Sequence, residues 1–401
     1  MKLKYKAITK DNKIIRGIIE AKDEKEAVSY LRSKDLIPIT VTLDTKYRLI
    51  TYIPFFGKVG QGDLVLFTRQ LAVMLNSGLT LSNSLHILKE QTGNNLMLDV
   101  INRIVTDTEE GKTFSYAISR NPDVFSQIYF SIIKSAETSG LLDKALLRLA
   151  DNLEKQVKLE NTIKGALLYP LIIIILMIAV VFIMMTVVIP QLSAVYKSLD
   201  VKLPLPTQIV IAFSNFFLIF WPFLIGIFII SIFIFRRWHK TEAGKLVIDN
   251  LLLKIPVFGN LIAKIILTEF SRTLSLLIGS GTLVVDSLMQ TSDTLGNIHY
   301  KNAVVDIAKK VENGVGIGDA ISSYSLFPGV LIQLVKIGEQ TGKLDETLMK
   351  ASEYFEEETD QVIKTLTTAF EPLIMVTLGL GVAFLLISVI TPIYSLISTI
   401  K

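Results

Sequence analysis

The stretch Phe67–Gly78, FTRQLAVMLNSG, returns as Phe270–Gly281, FSRTLSLLIGSG, and this recurrence decides how the 401-residue chain is built. Further on, ETSGLLD from Glu137 is answered by EQTGKLD from Glu339. The register holds along both copies: Gly281 minus Gly78 is 203, Gly342 minus Gly140 is 202, and Pro372 minus Pro170 is 202. The lead-in recurs as well, Ile53-Pro54 and Gly57 being matched by Ile255-Pro256 and Gly259. A period of about 200 residues lies far above that of solenoid repeats, so the chain carries a duplicated domain.

Each copy ends in an apolar run. Pro170 to Ile189 is the first, Pro372 to Thr391 its counterpart, and Gln208 to Phe235 a third without a repeat partner, interrupted by Ser214, Asn215 and Trp221-Pro222. None of the three holds Lys, Arg, Asp or Glu. Each reaches the ~20 residues that cross ~30 Å of hydrocarbon as a helix. Lys155, Lys158 and Lys164 precede the first run, and Arg236, Arg237 and Lys240 follow the unpaired one. The positive-inside rule then puts both large polar regions in the cytoplasm and the Lys401 tail outside. The unpaired run returns the chain so that both copies face the same side.

Composition agrees with soluble domains on a membrane anchor. Half of the residues are hydrophobic, yet 19% are charged, too many for a bundle wholly in lipid. The net charge of +4 gives no bulk attraction to nucleic acid, and the absence of cysteine excludes disulfides, thiolate metal sites and cysteine nucleophiles. The opening MKLKYKAITKDNK has positive charge with no apolar run behind it, so no cleavable signal peptide is expected.

Residues 2–43 read as strand, turn at Asp11-Asn12, strand, helix and strand. Asp23 and Glu26 stand at capping-box spacing, and Leu36–Leu43 alternates around Pro38 as an edge strand does. The linker is expected over 44–62, with Pro54, Gly57, Gly60 and Gly62. From Asp63 to Lys164 the pattern is helical, with Leu64, Phe67, Leu71, Met74 and Leu75 on one face and glycine stops at Gly78 and Gly140. Asn121-Pro122 marks a further break, and Asp143 is placed to open the helix after Gly140. Copy two repeats the breaks at Gly281, Gly314, Ser325–Gly329 and Gly342.

The fold class expected is a mainly α membrane protein with a small N-terminal α/β module, two homologous cytoplasmic helical bundles and three transmembrane helices. The boundaries are 1–50 for the module, 51–165 for the first bundle and 166–190 for its span. A short external loop (191–207), the second span (208–235), the second bundle (236–368), the third span (369–391) and an external tail (392–401) follow.

Catalytic chemistry finds little to work with. His86, His239 and His299 lack companions for zinc or catalysis, and His86 falls opposite Met289 in the other copy. Gly111-Lys112-Thr113 resembles the end of a phosphate loop, but Thr106 stands where the leading glycine is required. Gly338 to Gly342-Lys343 fails too, its glycines lying four apart with a leucine after the lysine. The Gly379-Leu-Gly381 pair in the third span suits close helix packing.

The features that do repeat are structural in kind. Lys134 and Lys336 precede Glu137 and Glu339 by three residues. One reading is a helix hairpin with left-handed Gly140 and Gly342 and a Lys–Glu pair worth only ~0.2–0.5 kcal/mol; the other is direct contact with a partner. Tyr169-Pro170 and Glu371-Pro372 would place proline in the first turn of a span, with Glu371 beside its dipole. Glu356-Glu357-Glu358 with Asp360 reads as a solvated acidic face, or as a dock for a basic partner.

In its order of motifs the whole chain resembles the GspF/PilC family of inner-membrane platform proteins from type IV pilus and type II secretion machines. Tyr5, Ala7, Gly17, Ala21, Ala27, Leu31 and Pro38 carry the likeness in the N-terminal module. Phe67, Arg69, Gln70, Leu71 and Gly78 carry it in copy one, and Phe270, Arg272, Leu274 and Gly281 in copy two. Glu137, Gly140 and Leu142, and Glu339, Gly342 and Leu344, continue the pattern, with Tyr169-Pro170 and Glu371-Pro372 at the spans. Asn12 departs from the glycine common in the first hairpin, and Asn tolerates the same turn.

The resemblance implies a protein without catalytic activity, cofactor or metal that self-associates in the cytoplasmic membrane. It implies as partners a hexameric cytoplasmic secretion ATPase, pilins or pseudopilins, and other inner-membrane assembly proteins, with no direct nucleic-acid contact. Motion of the motor would pass to pilin subunits entering a filament. The alternative is a membrane signalling or receptor scaffold with two cytoplasmic helical domains, which would call for a larger external domain than a loop of about 18 residues. A transporter would hold ionisable groups at membrane depth, and these spans have none.

Overall fold

The computed structural model describes residues 2–8, 14–20, 24–34, 36–43, 59–191, 205–239, 241–256 and 258–399. The expected turn at Asp11-Asn12, the Asp23 cap, Ala21 and most of the linker and external loop lie outside these residues.

The chain forms two compact units, one of residues 1–67 and 79–126, the other of 68–78 and 127–401. The first unit opens with β1 (Lys2–Ile8), β2 (Ile14–Glu20), α1 (Glu24–Ser33) and β3 (Ile37–Leu43). The sheet is antiparallel in the order β2-β1-β3, so the strand carrying Pro38 lies at an edge, where a missing N–H is tolerated. Tyr5 pairs with Gly17 across the sheet, and a Cβ at Gly17 would stand 2.8 Å from the Tyr5 hydroxyl. Ala7, Ala27 and Leu31 are buried.

The helices of copy one are α2 (Gln61–Asn76), α3 (Leu81–Gln91), α4 (Asn95–Glu109), α5 (Phe114–Ser119), α6 (Gln127–Ser139) and α7 (Leu142–Ile183). A π-helical turn, Met184–Val188, extends α7. Then come α8 (Leu205–His239) and α9 (Glu242–Lys254). Copy two is built of α10 (Phe258–Gly279), α11 (Val284–Thr294), α12 (Ile298–Glu312), α13 (Ile317–Ser322), α14 (Gly329–Thr341) and α15 (Leu344–Thr399).

Both copies start from the same aromatic pair. Phe67 meets Phe125 at 5.9 Å between centroids in the first unit, and Phe270 meets Phe327 at 5.5 Å in the second. Around Phe270 the second core gathers Leu274, Leu288, Val304, Leu331 and Leu348. Asn94 and Asn297 each accept from two amides at the start of the following helix, so the same cap opens α4 and α12. Glycines with left-handed φ end the helices as expected: Gly78 (90°), Gly140 (71°), Gly281 (86°), Gly314 (87°) and Gly342 (69°).

Among the described residues, three helices are long and apolar enough to cross a membrane. They lie within α7 with its extension, α8 and α15, and their apolar stretches are exposed. The helix of the third run continues past Thr391 to Thr399. α9 and α10 together are also apolar but bend through 110°, and α10 is largely buried in the second core.

Two expectations about the spans change. Pro170 and Pro372 do not begin helices: α7 runs unbroken from the bundle through Pro170, and α15 does the same through Pro372. No helix N-terminus exists at Glu371, so its carboxylate has no dipole to meet, and each proline forfeits one backbone hydrogen bond mid-helix instead. Among the described residues Gly379 and Gly381 pack against nothing, since a Cβ at either would have no neighbour within 4 Å. In the first span the π-turn leaves a backbone carbonyl to be satisfied, and the buried Ser214 hydroxyl of α8 donates to Met185 O at 2.5 Å.

Candidate functional site

The polar feature common to both copies is an Arg–Glu bridge joining the first helix of the bundle to the helix that enters the membrane. On α10, Phe270, Leu274 and Leu277 face the core at i, i+4 and i+7, and Arg272 points into the seam with α15. Its Nη2 donates to Glu356 Oε2 at 2.5 Å, with the two side chains 5% and 17% exposed. Burial pulls the Arg272 guanidinium below its ordinary range while Glu356 holds it charged. Burial also pushes the neighbouring Glu269 carboxyl up, against the pull of Arg272. Lys264 bonds Glu358 on the same seam.

Copy one repeats the bridge in a wetter setting. Arg69 Nε donates to Glu154 Oε1 at 2.6 Å, and its Nη2 to Glu154 Oε2 at 2.7 Å and Asp151 Oδ1 at 2.5 Å. Arg69 is 28% exposed. Glu154 and Glu356 lie 202 positions apart, within the repeat register. The bridge was therefore discoverable by looking for a carboxylate shared by both copies. The acidic run from Glu356 is not a free solvated face, because Glu356 and Glu358 spend their charge on Arg272 and Lys264.

The Glu-x-x-Gly turns keep the expected left-handed glycines, while the Lys–Glu pairing differs from the expectation. At Gly140 and Gly342 the amide just after the glycine closes the helix end: Leu141 N donates to Ala136 O, and Lys343 N to Gly338 O, both at 2.9 Å. The expected Lys336–Glu339 pair does not form. Lys336 bonds Asp319 at 2.7 Å, and the two Glu339 oxygens accept from Ile317 N at 2.9 Å and Gly318 N at 3.1 Å. Glu339 thus satisfies the first amides of α13, which opens at Gly316 with no side chain to do so. In copy one, Lys134 lies over the Phe130 ring at 5.8 Å, and Glu137 is half-buried. Gly338 has its own constraint: a Cβ there would collide with Thr347 and the Leu344 backbone.

The remaining sequence candidates serve the fold. Lys112 bonds the buried Asp107 at 2.9 Å, Arg120 bonds it at 3.0 Å, and Thr113 caps α5. The Lys112 bond and the Arg120 charge hold the Asp107 carboxyl below the usual range despite its burial. His86 pairs with Glu109 at 3.0 Å, and His299 bonds Leu246 O at 3.2 Å. Among the described residues no cluster of three His, Cys, Asp or Glu side chains could hold a metal.

Within the second unit, copy one's α6 and α7 lean on copy two. Ser135 donates to Ser280 O at 2.7 Å, Arg148 to Gly279 O at 2.9 Å, and Lys155 to Glu353 at 3.3 Å. A groove of about 840 Å³ runs along this contact, lined by Arg148, Lys155, Lys158, Leu276, Asp345 and Lys350.

The repeat coincides with a known family. The model described as type II secretion system protein F matches residues 67–190 and again 270–392, so its two matches begin at Phe67 and Phe270. The model for the N-terminal domain of the same protein matches residues 4–42. The chain belongs to this family. A protein of Thermus thermophilus named type IV pilus assembly protein PilC is 34% identical over 400 residues, covering 99% of this chain and 98% of the relative. A PilC of Pseudomonas aeruginosa is 33% identical over 370 residues, covering 92% and 98%. A type II secretion system protein F of Xanthomonas campestris is 29% identical over 405 residues, covering 99% of each. Membership, with three helices of spanning length, makes the chain an inner-membrane protein with a platform role in pilus or secretion assembly.

Proposed function

We propose that the chain is a non-enzymatic platform that couples a hexameric cytoplasmic ATPase to the assembly of pilin or pseudopilin filaments. Its bundles and N-terminal module face the cytoplasm, its C-terminus lies outside, and it self-associates alongside other inner-membrane assembly proteins. The relatives' names, pilus assembly and type II secretion, support the machine.

One observation carries the coupling. α7 and α15 are single helices of 42 and 56 residues that begin in the bundles and end in apolar stretches. At 1.5 Å per residue they reach about 60 and 80 Å. The Arg69–Glu154 bridge ties α7 to α2 and the Arg272–Glu356 bridge pins α15 to the second bundle, so displacement of the second bundle is delivered to its span without an intervening hinge.

A Gly-Pro-Gly insertion after Thr368 breaks that rod at the membrane face, and an Ala-Ala-Ala insertion there keeps it helical. The glycine-proline variant should reach normal levels, still retain the ATPase in pull-down and lose filament assembly; assembly by both variants equally would end the rod reading. Reporter fusions after Lys164, Leu199, Thr294 and Lys401 should read in, out, in and out, and a cytoplasmic signal at Lys401 would overturn the topology.

A further inference from the structure

The second span runs directly into a helix that the fold leaves half uncovered. α8 presents Ile232, Phe233, Ile234 and Phe235 outward, then Arg236, Arg237 and Trp238. Arginine and tryptophan after a lipid-facing stretch mark the water interface. α9 is held against that end. Thr241 Oγ1 donates to Trp238 O at 2.7 Å and caps α9 by accepting from Gly244 N at 3.1 Å. Gly244 is so close that a Cβ there would collide with the Trp238 carbonyl. The first turn of α9 therefore lies at the depth of the last turn of α8.

The two faces of α9 differ in kind. Gly244, Ile248 and Asp249 are buried. Asp249 Oδ2 accepts from Ile298 N at 2.8 Å and its carbonyl from Asn297 Nδ2 at 3.4 Å, tying α9 to the start of α12. Turned away at 100° per residue are Val247 and Leu251, 55 and 62% exposed and 40° apart, with Leu246, 42% exposed, farther round past the exposed Asn250 and Lys254. Exposed Ile255 and Phe258 prolong the stripe. The charges beside it are basic, Arg236 and Arg237 before α9 and Lys254 within it, while Lys245 and Glu242 stand on the side away from it and Asp249 is buried and bonded. An apolar stripe edged by cations and continuous with a span matches an anionic bilayer surface.

We propose that α9 lies along the membrane surface, with Leu246, Val247 and Leu251 in the boundary between headgroups and acyl chains. The occupant of this face is bilayer lipid. Through Asp249 the helix then fixes the height of the second bundle above the bilayer, a tether separate from α15. The inference rests on α8 being a membrane span.

The absence of cysteine permits a direct test. Single Val247→Cys, Leu251→Cys, Lys245→Cys and Ile229→Cys variants of the full chain carry a nitroxide label in nanodiscs containing phosphatidylglycerol. Labels at 247 and 251 should collide with oxygen in preference to a water-soluble nickel chelate, less deeply than the label at Ile229 on α8, while the label at Lys245 should favour nickel. Labels at 247 and 251 as open to nickel as that at 245, with 229 still in lipid, would overturn the inference and leave the span standing. Nickel access at 229 would overturn both. Because the discs hold no other protein, a wet α9 face would mean that this surface is reserved for a protein partner.

Discussion

In copy one the short helix α5 is capped by Thr113, whose Oγ1 accepts from Tyr116 N at 3.2 Å. In copy two the same helix, α13, starts after Gly316, and Glu339 reaches across from α14 to hold its first amides. A second site shows the same exchange: Arg103 Nε donates to Asn121 Oδ1 at 2.8 Å, and at the corresponding positions Tyr324 donates to Asp306. The unsatisfied amide or the buried gap is inherited, and the group that meets it is free to change. The Arg–Glu bridge, like the Asn94 and Asn297 caps, keeps its residue types at both sites. What differs there is water: Arg69 is 28% exposed and Arg272 only 5%.

That difference in burial sets the largest expected effect. Arg272→Ala leaves the largely covered Glu356, 17% exposed, unpaired and should cost about 3 kcal/mol. Arg69→Ala, at a solvated bridge, should cost at most about 1 kcal/mol. Hydrogen exchange of bundle amides in the detergent-purified chain measures both, and equal protection loss would erase the distinction between the copies.

The cap exchange predicts a smaller effect and a rescue. Glu339→Ala should destabilise the second bundle by roughly 1–2 kcal/mol, since it orphans two amides. Adding Gly316→Thr gives copy two the cap of copy one. A Cβ at Gly316 would lie 2.9 Å from the Glu339 carboxylate, so space opens only in that background. Recovery of exchange protection in the double variant, and not in Gly316→Thr alone, is the expected outcome.

Glu269 sharpens the comparison further, because its counterpart in copy one is the apolar Leu66. Burial raises its carboxyl above the ordinary 4.5, so the folded chain binds a proton more readily than the unfolded one. Its contribution is then fully present below 4.5 and lost as pH rises through the raised value. Glu269→Gln should be more stable than the parent at pH 7, with the gap closing on acidification. A gap that widens in acid would mean that Arg272 dominates the site.

Much of this architecture was legible without coordinates. The 202–203 register, the apolar runs and the glycine stops follow from hydropathy and from the steric rule that left-handed backbone favours glycine. The Lys336–Glu339 pair was misread because helical spacing permits it, whereas two backbone donors on α13 compete better for the same carboxylate. The prolines were misread for a related reason: proline tolerates a first turn, but whether a helix starts there depends on what precedes it, and α7 and α15 were already running.

The sequence by itself determined the duplication, the three spans and the helix stops, because each is read from runs of neighbouring residues or from the comparison of one such run with another. Only the tertiary structure decided that Glu356 belongs to Arg272, that Glu339 belongs to α13, and which side of α9 stays bare. Those outcomes join groups 84 and 22 positions apart, or compare two faces of one helix, and packing alone brings such groups within hydrogen-bond reach or leaves them uncovered.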